Sequence, residues 1–301
     1  LRAALAAAIW LCICVPASSA TSQNPAPRLA TVDWGTAQNL TAMGVPPVAV
    51  AQIQNYQTWV GGPPLPADTR EMGLRSQPNM EMLAQLDLDC ILITRMYARQ
   101  KAKLSQVAPV TSLNVYFKKG DIWRNTVAAV QKLGRIAHRP DAARQLIAQT
   151  KKQISRAAAR VPADTPPLLI VQFVDARHVR VYGDGSLVQA ALERMGLSNA
   201  WHGETTRWGT ATVSLARLAD IQRGRVVVMK PIPVGVVGKI AESRLWSSLP
   251  VTQNAPVVDM PAVWSFGGLP SASRFARSLA DTLNHGADDG AGWPANAGHR
   301  P

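Results

Sequence analysis

The sequence predicts an α/β protein of two lobes joined by a single long helix. Three observations predict it. Short apolar runs rich in Val, Ile and Leu alternate with helix-period segments in the first half of the chain. The same alternation resumes in the second half, with no short internal repeat. Between the halves lies one uninterrupted helical pattern.

Residues 1–20, LRAALAAAIWLCICVPASSA, join a basic residue at Arg2 to an apolar run from Ala3 to Val15, the breaker Pro16 and the small residues Ser18 and Ala20. That is the pattern of a secretory signal peptide. The run is shorter than the roughly 20 residues a membrane span requires, which disfavours an anchor. After an unpatterned linker from Thr21 to Pro27, LATVDW predicts a strand, TAQNLTAMG a helix closed by Gly44, and VPPVAVA the next strand. The rhythm continues through ILITRMY and PVTSLNV, so 21–138 is expected to form an N-terminal lobe.

Asp121 to Leu133 reads as a helix, and another starts at Pro140, a residue suited to a first turn because its missing N–H is not needed there. In this second helix Ala143, Ile147, Thr150, Ile154 and Ala158 recur at threes and fours, while Arg144, Lys151, Lys152 and Arg156 face away. Some twenty residues at about 1.5 Å each give about 30 Å, enough to pass from one lobe to the other. Pro162, Pro166 and Pro167 end it, which makes 139–161 the interlobe helix.

Residues 162–285 then form the second lobe. LLIVQFV is a buried strand, VRVYGDG a strand into a turn, SLVQAALERMG a helix, VVVM a parallel-type strand and SRFARSLADTLN the last helix. Each half is therefore one Rossmann-like lobe. The tail 286–301, rich in Gly, Ala and Asp, predicts disorder.

Composition narrows the function classes. The net charge of +13 would suit nucleic acid, but secretion argues against that partner and the basic residues are dispersed. The charge is read as serving solubility and encounter with acidic surfaces. Cys12 and Cys14 lie in the apolar run and leave with it, so Cys90 remains alone and no internal disulfide is expected. With ILI after it, Cys90 reads as a small buried residue and not as a nucleophile. His138, His178, His202, His285 and His299 show no ligand spacing, so no metal site is expected. GDGSL around Ser186 is a strand-to-helix turn and not a hydrolase elbow, and GVVGK at Gly235 is too short for a phosphate loop. Neither catalysis nor a cofactor is indicated.

Loop aromatics stand out instead. Trp59 lies in NYQTWVGGPPLP, Tyr97 follows a strand, and Trp201 and Trp208 fall in NAWHGETTRWGTATVSLARLAD, which runs from Asn199 to Asp220 and reads as a loop leading into a helix. Trp264 and Phe266 lie in PAVWSFGG. Trp59, Trp208 and Trp264, flanked by glycine and polar residues, suit a ligand cleft, where a rigid ring supplies apolar contact with few rotamers to freeze. Trp34, Trp123 and Trp246 sit at apolar periods and suit the core. Arg75, in MGLRSQPNMEML just before a Pro-Asn helix start, could reach into a cleft and fork to paired negative oxygens.

Taken together, GLRSQPNMEML, NYQTWVGGPPLP, the 199–220 stretch and PAVWSFGG resemble the ferric hydroxamate (ferrichrome-type) siderophore-binding proteins that feed ABC importers, over about residues 29 to 285. The resemblance implies the helical-backbone periplasmic binding protein fold. It also implies a role capturing an Fe(III)-hydroxamate siderophore in the periplasm and delivering it to an inner-membrane ABC permease and its ATPase, as a monomer without a cofactor. It assigns Arg75 and Tyr97 to the hydroxamate oxygens, with Trp59, Trp208 and Trp264 as the wall. Two positions depart from the pattern: Thr206 stands where the family has asparagine, and Phe266, which cannot donate a hydrogen bond, where it has tyrosine. Glu81 matches the N-lobe acid that docks to the permease; the C-lobe counterpart is Ala216, with Asp220 one turn on as a substitute. The wider group also contains cobalamin, haem and catecholate binders, which stay open as cargo. A secreted siderophore-modifying enzyme is the reading from another class, and it lacks a visible nucleophile.

Overall fold

The structure is a computed structural model that describes residues 26–116 and 121–285. The signal-peptide and tail readings lie outside the described residues. In the first half the chain runs β1 (Leu29–Thr31), α1 (Trp34–Ala42), β2 (Ala49–Val50), α2 (Ile53–Val60), β3 (Arg70–Glu71), the hairpin β4 (Gly73–Leu74) and β5 (Gln77–Pro78), α3 (Met80–Ala84), β6 (Cys90–Thr94), α4 (Lys101–Leu104), β7 (Val110–Leu113) and α5 (Ile122–Ile136). Five of these strands form one all-parallel sheet in the order β3-β2-β1-β6-β7. Strands covered on both faces carry continuous apolar sequence, and β1 is buried at every residue.

The long helix α6 spans Pro140–Ala158. Ala143, Ile147, Thr150 and Ile154 are buried on its inner face, joined by Leu146 and Ala157, while Arg144, Lys151, Lys152 and Arg156 are exposed. Burying each large aliphatic side chain there contributes about 1.5–3 kcal/mol.

Beyond it come β8 (Leu168–Phe173), β9 (His178–Tyr182), α7 (Leu187–Arg194), β10 (Thr210–Ser214), β11 (Arg225–Met229), α8 (Val236–Ala241), α9 (Arg244–Ser248), α10 (Pro250–Gln253), β12 (Val258–Met260) and α11 (Leu269–His285). The second sheet has the order β10-β9-β8-β11-β12. Its β8, β11 and β12 are parallel, whereas β9 and β10 are antiparallel. Among the described residues no strand of either half enters the other's sheet.

One apolar core runs through both halves, from Leu29, Leu40 and Leu92, through Leu133, Ile147 and Ile154, to Ile170, Met260 and Leu279. Behind the cleft the halves are also laced by polar groups. Gln38 Oε1 accepts Gly268 N at 3.0 Å and Ser271 Oγ at 2.8 Å, and Asn39 Oδ1 accepts Leu269 N at 3.1 Å. Side chains of α1 thus satisfy amides at the start of α11 that would otherwise lack partners. A Cβ on Gly268 would lie 2.2 Å from Asn39 Oδ1, so only glycine allows this approach.

Three expectations change. The 199–220 stretch is a loop leading into strand β10 and then a 3-10 helix, Leu215–Asp220, because the small and β-branched residues of TATVS favour an antiparallel edge over a helix. In ILITRMY the strand stops at Thr94, and Arg95–Gln100 turns at once into a 3-10 helix. Cys90, at the first position of β6, is half-buried and not fully enclosed. Among the described residues no helix is long and apolar enough to cross a membrane, and no His, Cys, Asp or Glu group could hold a metal ion.

Candidate ligand-binding cleft

A parallel sheet delivers the carboxyl ends of its strands to one edge, where α/β proteins place their ligands. At that edge of the first sheet, Asp33 and Trp34 follow β1, Gln52 follows β2, Tyr97 follows β6 and Tyr116 follows β7. In the second half, Trp264 and Phe266 follow β12, and Trp208 comes from the loop before β10.

Arg75 sits at the tip of the β4–β5 hairpin, which Glu71 anchors. The Glu71 carboxylate accepts the amides of Gln52 at 2.8 Å, Ile53 at 2.7 Å and Gly73 at 2.8 Å, tying the hairpin to the start of α2. Gln52 is held in the left-handed region at φ 54°, a cost that a non-glycine residue tolerates only where surrounding contacts impose it. Its Oε1 accepts Arg75 Nε at 3.0 Å, and Arg75 Nη1 donates to the Tyr97 hydroxyl at 3.2 Å. The guanidinium lies 3.9 Å from the Trp34 ring centre and 5.7 Å from that of Trp264. Two of its five N–H donors are used in holding it; the others give it a planar fork to offer.

The aromatics form a connected wall that crosses between the lobes. Trp264 packs edge-on against Trp34 at 4.9 Å, Trp59 at 6.4 Å and Phe266 at 5.5 Å. Phe266 meets Trp208 at 5.8 Å and Tyr116 at 5.9 Å, and Tyr116 meets Trp208 at 5.5 Å. Tyr116 OH donates to Ser265 O at 3.2 Å, a bond from the first lobe to the second. The cavity between them is lined by Asp33, Tyr97, Tyr116, Trp208, Trp264 and Phe266 among others.

Asp33 caps α1, accepting Thr36 N at 2.8 Å and Thr36 Oγ1 at 2.9 Å on Oδ1, while Thr94 Oγ1 donates to Oδ2 at 3.2 Å. Burial raises its carboxyl above the usual value, opposed by those bonds and by the charge of Arg75. Burial also pushes the Tyr97 hydroxyl up to about 12, with the negative charge of Asp33 adding to it and Arg75 opposing. The Tyr116 hydroxyl is raised for the same two reasons, burial first and Asp33 second. Both tyrosines are therefore neutral hydroxyls at physiological pH.

Of the residues expected at the site, Tyr97, Trp208, Trp264 and Phe266 line the cavity, Arg75 joins them through Tyr97, and Trp59 through Trp264. Thr206 is exposed and does not line it. It builds the turn that presents Trp208: its amide donates to Thr210 O at 2.9 Å, its carbonyl accepts Gly209 N at 2.8 Å, and its Oγ1 accepts Trp208 N at 3.3 Å. Gly209 closes that turn at φ +68°, where a Cβ would fall 2.0 Å from Ser186 N. Trp201 packs in the second lobe's core with Leu169 and Val171 and not in the cleft. Trp34, Trp123 and Trp246 are buried, yet the Trp34 face serves as the platform for Arg75 while its Nε1 donates to Ala51 O at 2.8 Å. Glu81 is exposed in the first turn of α3. Asp220 is exposed and paired with Arg217 at 2.5 Å.

Sequence reasoning missed Asp33, Gln52, Glu71 and Tyr116. Tyr116 was within reach, because it follows a predicted strand as Tyr97 does.

Two α/β lobes with one crossing between their sheets, closing on an aromatic cleft beside an oriented arginine, define a solute-binding protein. The chain belongs to the periplasmic binding protein family, whose model matches residues 29–263. It is 30% identical over 261 residues to the iron(3+)-hydroxamate-binding protein FhuD of Escherichia coli (strain K12), covering 85% of this chain and 86% of that one. The Fe(3+)-citrate-binding protein YfmC of Bacillus subtilis (strain 168) is 21% identical over 79% of this chain and 74% of its own. Among solved structures, the siderophore-binding protein FhuD from Vibrio cholerae, bound to Fe3+-Desferal, superposes with a TM-score of 0.80 at 25% identity, covering 85% of this chain and 97% of that one. The triscatecholate siderophore-binding protein FeuA from Bacillus subtilis reaches a TM-score of 0.71 at 13% identity, over 87% of this chain and 93% of that one, a likeness of fold alone. The family and fold expected from the sequence are thus those found.

Proposed function

We propose that this protein captures Fe(III)-hydroxamate siderophores in the periplasm and delivers them to an inner-membrane ABC permease and its ATPase for iron uptake. The observation that carries this reading is the Arg75–Tyr97 pair, held at 3.2 Å beside an aromatic wall drawn from both lobes. Three hydroxamates carry three negative charges that ferric iron offsets overall, while their oxygens keep local negative character. A guanidinium and a neutral phenol are donors suited to those oxygens. The methylene arms would lie on Trp59, Trp208 and Trp264, gaining about 25 cal/mol per Å² of apolar area removed from water.

The names of the E. coli and V. cholerae relatives point to the same ligand class. Delivery through the basic residues of a permease would use Glu81 on one lobe and Asp220 on the other, the second weakened by its pairing with Arg217. Export by the 1–20 segment, a monomeric state and lobes bounded at 138 and 162 belong to the same reading. The lacing of α1 to α11 supports small lobe movement on binding.

Titration with ferrichrome or ferrioxamine B, followed by tryptophan fluorescence, tests the proposal. Quenching to a plateau with micromolar or tighter affinity, about −8 kcal/mol, is expected. A flat signal across several ferric hydroxamates would overturn it.

A further inference from the structure

Resting on the hydroxamate reading above, we infer that Asp33 selects ligands by charge, so that the cleft prefers ferric complexes of zero or positive net charge over anionic ones. The carboxylate lines the same cavity as Tyr97, Trp208 and Trp264. All the partners that fix it are neutral: the Thr36 amide and hydroxyl and the Thr94 hydroxyl. Among the described residues no cation comes within ion-pair distance of it. The residue that follows it, Trp34, carries the Arg75 guanidinium on its ring. One positive and one negative group therefore stand close together, Asp33 lining the cavity and Arg75 on the Trp34 ring beside it, without a salt bridge between them.

A helix cap alone does not explain the acid. Ser, Thr or Asn would cap α1 as well, without the cost of keeping a carboxylate out of water. What only an acid adds is a negative field in the cavity. Arg75 alone would favour any anionic complex; the carboxylate of Asp33 reverses that preference for excess negative charge, and the guanidinium is left to read individual oxygens at short range. Arg95 also lines the cavity but is exposed, where its charge is screened by water.

The test keeps the iron core constant and changes only charge. The probes are ferrioxamine B, which carries a free ammonium, its N-acetyl derivative, which is neutral, and its N-succinyl derivative, which carries a carboxylate. Each is titrated into the intact protein and into Asp33→Asn, which keeps a capping side chain. The wild type is expected to bind the cationic and neutral complexes more tightly than the anionic one. In the variant the cation-to-anion preference should fall about fivefold, the scale of one charge acting across a partly hydrated cavity.

An equal preference in both proteins overturns the inference. Should the variant fail to fold, the wild-type ranking decides by itself, and binding the anionic complex as tightly as the cationic one overturns it. If the wild type binds none of the three, the hydroxamate reading itself fails and this inference with it. Binding of all three without ranking refutes the charge selection alone.

Discussion

The two lobes contribute opposite chemistry to one cleft. The first lobe supplies the polar set: Asp33, held by Thr36 and Thr94, and Gln52, Arg75 and Tyr97, held by one another and by the Glu71 brace. The second supplies Trp208, Trp264 and Phe266, rings without a charge. Hydrogen-bonding groups discriminate strongly between ligands because an unmatched buried donor is costly, whereas apolar area adds affinity with little discrimination. The comparison teaches that selectivity should reside in the first lobe and general stickiness in the second.

Breaking the polar side should have the largest effect. Arg75→Ala removes the forked donor and leaves the Tyr97 hydroxyl and Gln52 side-chain amide without their partner, so ferrioxamine affinity should fall by about 2–3 kcal/mol, roughly 30- to 150-fold. Isothermal titration would read it, and an unchanged affinity would remove Arg75 from the site. Trp264→Ala takes away the ring that joins Trp34, Trp59 and Phe266. Its loss should weaken binding by about 2 kcal/mol, the scale of a central aromatic anchor. Unlike the arginine variant, it should weaken ferrichrome and ferrioxamine B by similar factors; a strong change in their ratio would contradict the division between lobes.

A smaller effect sharpens the same contrast. Tyr97→Phe deletes one neutral donor and preserves the ring, so the loss should be about 1 kcal/mol and less than that of Arg75→Ala. If the tyrosine variant proved the weaker binder, the hydroxyl and not the guanidinium would be the main oxygen contact.

How far the molecule was legible from its sequence differs between the lobes in the same way. The wall was visible because Trp59, Trp208 and Trp264 sit among glycine and polar residues, where a core ring has no reason to be. Helix α6 was visible because Ile147 and Ile154 repeat at its period. Trp201 shares the same loop context yet is buried among Leu169 and Val171, since whether a loop folds inward is decided by tertiary contacts. The brace around Arg75 was hidden for a related reason: Glu71 and Gln52 are nineteen residues apart and meet only because β2 and β3 pair in parallel. Asp33 was hidden differently, because an acid between a strand and a helix already has a sufficient local explanation as a cap. Strand β10 was misread because five residues of TATVS are too few to separate an edge strand from the approach to a helix.

The smallest expected effect asks what the polar side costs the fold. Burial raises the Asp33 carboxyl above its ordinary value of 3.8, so the folded protein holds that proton more tightly than the unfolded chain does. The stability linked to this group is complete below the ordinary value and is lost as pH rises through the raised one. Asparagine can cap α1 and never ionises. Asp33→Asn should therefore melt at a slightly higher temperature than the wild type near pH 7, with the difference shrinking as pH falls through that window. Thermal denaturation at several pH values reads the trend directly. A wild type that is the more stable partner at neutral pH would mean that the bonds from Thr36 and Thr94 outweigh burial. The acid would then be favourable to the fold in its own right, and the contrast between a costly polar lobe and an inexpensive aromatic one would lose its clearest member.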